Sequence, residues 1–192
     1  MLKFSKVTIT PKKKTSLMAV VYNKKSGNLT GQSWNDKLTR ESDQLMSREL
    51  SDAVDALTPH LLWATELIDE SIDLDENLDY EKWFNEGLYR DDERFNNLTI
   101  TGIKFIGTEA LDAVKLYGYK TVEWSDKPFK VKLETPVINL DRVKENRYTL
   151  VSIIDGQIDT LIGEIEEWLT HGKTVSQGEF QFQTERKLEV AS

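Results

Sequence analysis

Asp73, Asp75, Asn77 and Asp79 stand at alternate positions in the acidic stretch "SIDLDENLDYEKWFNEG", residues 71–87. Alternating oxygen donors of this kind open a calcium loop, since Ca²⁺ collects about six to eight oxygen ligands. Such a loop also needs Gly at its sixth position, for a turn with φ > 0, and a bidentate Glu at its twelfth. Counted from Asp73 these positions hold Leu78 and Phe84, and neither can serve. No metal is therefore expected, and the stretch reads as a solvated acidic surface that leads into a short helix capped by Asp79.

Other catalytic signatures fail in the same way. "HGKT" at 171–174 resembles the end of a phosphate loop, but Glu167 stands where its first Gly belongs. That motif also follows a strand, whereas a long helical pattern precedes Gly172. Gly172 reads better as a helix C-cap, with His171 and Lys173 complementing the dipole. The only other histidine, His60, follows the helix-breaking Pro59. There is no G-x-S-x-G and no H-E-x-x-H. "ERK" at 185–187 sits in a polar tail without the acidic strand that a nuclease would place upstream. With no cysteine, disulfides, zinc–thiolate sites and thiol nucleophiles are excluded. No catalytic residue and no cofactor are assigned, and the expectation is a protein without enzymatic activity.

Charge is more informative. Residues 1–40 carry nine Lys/Arg and one acid, a net +8, whereas residues 66–94 carry twelve acids and three bases, a net −9. Blocks of this size predict two electrostatically distinct surfaces. Lys12, Lys13 and Lys14 at a hairpin tip, with Lys24 and Lys25 at the next turn, could clamp phosphates while Tyr22 and Trp34 stack on bases. The acidic block offers Asp73, Asp75, Asp79, Asp91 and Asp92 as a face for a protein partner, or as a mimic of phosphates.

The elements that must carry these residues follow from periodicity. "KFSKVTIT" and "SLMAVVYN" flank "PKKKTS" as a hairpin, and "KSGN" turns into a short third strand through Trp34, before a polar connection over 35–46. Ser47 caps a helix with Leu50, Ala53, Val54, Leu57 and Leu61 on one face. Pro59 must break it, with a restart capped by Thr58 that carries Leu61, Leu62 and Trp63 towards Ile68. In the acidic insertion, Tyr80, Trp83, Phe84 and Leu88 face inwards. "NLTITGIKFIG" changes phase at Gly102, which predicts a β-bulge. "AVKLYGYKTVEW" and "FKVKLETPVINL" form a hairpin in which Phe129, Val131 and Leu133 share one face, and Pro136 ends the ladder. The last helix repeats Val151, Ile158, Ile165 and Ile154, Leu161, Trp168 every seven residues, widened by Ile153, Ile162 and Leu169, with Thr149 as cap. This order predicts one α+β domain over 1–175, with an insertion at 66–94 and a polar tail at 176–192. Its mainly antiparallel sheet would have about five or six strands, packed with two main helices. Five Trp, six Tyr and seven Phe supply a core, and no run reaches the roughly 18 apolar residues of a membrane span. The start "MLKFSKVTIT" lacks a secretory apolar stretch, so a soluble, cytoplasmic protein is expected.

The segments "ELSDAVDALTPHL", "LTITGIKFIG", "VKLETP" and "EEWLTHGK", in that order, resemble a group of small, largely uncharacterised proteins of tailed phages and prophages. The resemblance spans most of residues 47–175. It implies a phage-encoded accessory protein from a replication or recombination module, acting in the host cytoplasm. It brings no catalytic residues, and residues 66–94 look like an enlargement of a shorter connection. The expectation is a binding protein that takes a protein partner and single-stranded DNA, with the 149–171 helix open to self-association. Inhibition of a host nucleic-acid enzyme through the acidic face is the alternative. A hydrolase using Asp73, Asp75 and Asp79 around Mg²⁺ is a third hypothesis.

Overall fold

Val7, Val20, Ile103 and Leu116 lie side by side on four adjacent strands, and none of them reaches solvent. This apolar row fixes which face of the sheet is buried. The computed structural model describes residues 2–12, 15–27, 33–42, 46–65, 80–91, 93–107, 111–124, 127–140, 148 and 150–172. Its strands are β1 (Leu2–Lys12), β2 (Thr15–Gly27), β3 (Ser33–Glu41), β4 (Leu98–Ile106), β5 (Ala113–Trp124), β6 (Lys127–Glu134) and β7 (Ile138–Asn139). They form one seven-stranded sheet in the order β3-β2-β1-β4-β5-β6, antiparallel throughout, with β7 pairing β5 beyond the end of β6. Thr135 spans the gap between β6 and β7: the Leu116 N–H donates to its hydroxyl at 2.9 Å, and its own N–H donates to the Leu116 carbonyl at 3.1 Å. The architecture is α+β, as the order of patterns predicts.

Helices cover the face that carries the apolar row. They are α1 (Arg48–Asp55), α2 (His60–Trp63), α3 (Tyr80–Asn85) and α4 (Val151–His171), with 3₁₀ turns at Leu88–Asp91 and Glu93–Phe95. The Ser47 hydroxyl caps α1 by accepting from the Leu50 N–H at 3.2 Å. Both heptad series of α4 (Val151, Ile158, Ile165 and Ile154, Leu161, Trp168) are buried within the chain. The helix stops at Gly172, whose φ of 65° suits the left-handed C-cap. At this end Arg40 of β3 donates to the Leu169 carbonyl at 2.5 Å, and its guanidinium lies 4.9 Å from the Trp168 ring. A cation at a helix C-terminus satisfies free carbonyls and complements the dipole. Trp63, Trp83, Phe84, Tyr89 and Phe95 pack ring against ring, mostly edge to face, and fasten α3 and both 3₁₀ turns onto α2.

Several expectations need correction. The third strand runs to Glu41, so 35–41 is edge strand rather than connection; pairing with β2 needs only backbone groups, which the polar sequence does not reveal. Pro59, not Thr58, occupies the N-cap position of α2, and that helix ends at Trp63 after one turn. Past α3, Gly87 takes a φ of 69° and resets the phase, so Tyr89 is buried and Leu88 is 43% exposed. Phe129 and Val131 are exposed while Leu133 is buried; Leu133 pairs with Gly118, against which Leu61 of α2 packs. The bulge between Ile100 and Gly102 is present. Thr149 lies outside the described residues, and Leu150 occupies the N-cap position of α4.

His60 sits wholly buried where α2 meets α4. Its Nε2–H donates to Gln157 Oε1 at 2.8 Å, its Nδ1 accepts from the Tyr148 hydroxyl, and its ring stacks on Phe84 at 5.0 Å. Burial pushes its pKa down from 6.5 to about 4, although the Gln157 hydrogen bond opposes this. Below pH 6.5 the unfolded chain therefore takes up a proton that the folded chain refuses until about pH 4. This contribution is complete above pH 6.5 and about 3 kcal/mol of it is lost as the pH falls to 4. Thermal melts should show a steeper loss of Tm between pH 6.5 and 4.5 in the parent than in His60→Gln. Equal slopes would contradict the assignment. A second outcome concerns Gly118, where an added Cβ would lie 2.4 Å from the Thr99 carbonyl oxygen and 2.6 Å from Leu61 Cδ1. Gly118→Ala should destabilise by roughly 1–3 kcal/mol, read as a lower denaturation midpoint.

Candidate nucleic-acid interface

A strand that buries alternate residues must present the others on the opposite face. Lys6 of β1 pairs with Lys104 of β4, and Lys104 pairs with Lys115 of β5. With strands about 4.8 Å apart, three lysine stems rise within about 10 Å of one another. Like charges directly across a ladder repel. Only Lys115 has a described relief, an ion pair with Glu134 at 2.5 Å; that hydrogen bond holds its ammonium above the ordinary lysine range. Lys6 and Lys104 are exposed and make no ion pair with a described carboxylate.

One register step away, Thr8, Gly102, Tyr117 and Glu134 form the next row, followed by Thr99, Tyr119 and Lys132. Tyr117 and Tyr119 are half-buried, with Lys130 and Lys132 exposed beside them. The Lys115 ammonium lies 5.8 Å from the Tyr117 ring centre and that of Lys130 lies 4.0 Å from Tyr119. A hydrogen bond from Lys130 holds the Tyr119 hydroxyl below its usual range, and one from Thr99 acts in the same direction. Among the described residues, Lys6, Lys104, Lys115, Lys130 and Lys132 surround the two tyrosines on this face, and Gly102 and Ala113 are buried positions on it.

The residues singled out in the sequence are distributed differently. Lys12 pairs with Thr15 at one end of the β1–β2 hairpin and Lys24 pairs with Leu2 at the other, so the two basic turns stand about 30 Å apart. Lys24 and Lys25 are exposed. Lys13 and Lys14 lie outside the described residues, and for Lys12 and Trp34 only the backbone is described. Tyr22 packs on the helix-covered face, 6.3 Å from Phe4, and cannot share a surface with the Lys6 row. Of the acidic set, Asp91 is exposed at the end of a 3₁₀ turn, and Asp73, Asp75, Asp79 and Asp92 lie outside the described residues. His171 pairs with Glu167 at 3.1 Å on a continuous helix, which leaves no phosphate loop there.

A cleft of about 440 Å³ opens between α1 and α4, lined by Asp52, Tyr89, Arg90, Gln157 and Glu164 among others. Within it Arg90 meets Asp52 at 3.2 Å, and Gln157 is tied to His60. Burial raises the carboxyl of nearby Asp55, opposed by Arg90. Among the described residues no three His, Asp or Glu side chains could hold a metal ion, and no described helix is long and apolar enough to cross a membrane. No protein-family model and no curated protein sequence matches the chain.

Proposed function

We propose that this chain is a non-catalytic accessory protein that works by binding, and that nucleic acid lies on the lysine-bearing face of its sheet. The cross-strand row Lys6–Lys104–Lys115 carries this reading. Two of its three ammonium groups have no described counter-charge, and a polyanion would relieve their repulsion. The +8 balance of residues 1–40 supports it, since Lys6 and Lys37 both project towards that face. The described part of the −9 segment, residues 80–91 and 93–94, lies on α3 and the 3₁₀ turns rather than on the lysine-bearing strands. A phage replication or recombination setting, with a protein partner, rests on the resemblance over residues 47–175. Both heptad series of α4 are used within the chain.

Fluorescence anisotropy with a labelled oligonucleotide over a salt series tests the reading. Each phosphate contact adds about 0.7 to the slope of log affinity against log salt for a single strand. Lys6→Ala/Lys104→Ala/Lys115→Ala should weaken binding and lower that slope by about two. Glu134→Gln should strengthen binding, because it removes the one carboxylate paired to the row. Absence of binding at low salt, in protein shown to be folded by its melt, would sink the proposal.

A further inference from the structure

We infer that the nucleic acid on this face is single-stranded and that Tyr117 and Tyr119 are the platform on which its bases stack. The inference rests on the reading of the open face just given. Residues two apart on one strand share a face about 6.6–6.8 Å apart, so both phenol rings rise from β5 on the solvent side. Gly118 lies between them and faces inwards against Leu61. Beside Tyr117 the neighbouring strand offers Gly102, which has no side chain, so the Tyr117 ring can lean onto the strand there: a Cβ at Gly102 would meet its Cδ2 at 3.8 Å. A planar base can settle on the outer side of the ring.

Each ring also has an ammonium at hand, Lys115 for Tyr117 and Lys130 for Tyr119. A nucleotide presents a π-face and a phosphate in turn, and an aromatic ring with an adjacent cation answers both. On binding, Lys130 exchanges the ring for a phosphate oxygen while the base takes its place. Strand register adds Lys132 directly opposite Tyr119. A duplex hides its base faces by stacking, and its major groove admits a helix or a two-stranded ribbon rather than the face of a broad sheet. RNA-recognition domains expose aromatic side chains on a four-stranded sheet for the same physical reason, and their aromatic–Gly–aromatic strand pattern is present in Tyr117-Gly118-Tyr119. The seven-stranded order here is a different architecture, so the likeness is of the surface alone.

The test uses the full chain and three labelled probes of equal length: oligo-dT, the same backbone made abasic, and a duplex. The expected result is oligo-dT binding about tenfold or more tighter than either alternative. Tyr117→Leu and Tyr119→Leu should each weaken oligo-dT by about 5- to 150-fold with the salt slope unchanged, while Tyr→Phe at either position retains binding. Equal affinity for the three probes, a preference for duplex, or indifference to both Leu variants would overturn this inference and leave the lysine-row reading standing. Failure of every probe to bind at low salt would overturn both. Thermal melts of the Leu variants separate lost stacking from lost fold.

Discussion

Leu61 can rest against the backbone of β5 only because Gly118 has no side chain, and the two faces of the molecule are organised around that contact. On the inner side it lets α2 approach the sheet closely. The aromatic cluster around Trp63 then follows, and with it α3 and both 3₁₀ turns. On the outer side the same residue sets the phase of β5. With Leu116 and Gly118 turned inwards, Tyr117 and Tyr119 have nowhere to go but outwards. Core packing and the chemistry of the open face are thus specified by one short stretch of chain.

Local signals were legible in the sequence. The β1–β2 and β5–β6 hairpins, the bulge at Gly102, the Ser47 cap and the α4 stripe each depend on period or turn chemistry within a few residues. The polar strand β3 was not legible, since an edge strand is held by backbone hydrogen bonds that its side chains do not advertise. Nor was the candidate site. Lysines adjacent in sequence, such as Lys12 to Lys14, draw attention. Lys6, Lys104 and Lys115 become neighbours only through the pairing of strands far apart in the chain. Tyr117-Gly118-Tyr119 stands in plain view, but its meaning depends on which face of β5 is buried.

Charge and burial are managed separately in this fold. Where α2 meets α4, a polar group is accommodated by complete hydrogen bonding: His60 stays neutral between the Tyr148 hydroxyl and the Gln157 carbonyl oxygen. At the open face, cations are tolerated because water solvates them, with Glu134 as the local exception. The first arrangement confers rigidity. The second keeps cationic side chains free to rearrange on a ligand.

Arg40 and Leu169 are 129 positions apart, yet they join the edge of the sheet to the end of the last helix. A ribosome adding about 5–20 residues per second needs roughly 6–26 s to cover that interval. During this time Val7 and Val20 already exist, but the last helix of the core they belong to has not been made. The nascent chain must therefore pass through a stage in which a half-built, apolar sheet face waits for its cover. Its yield in a cell depends on whatever shelters that surface until α4 emerges.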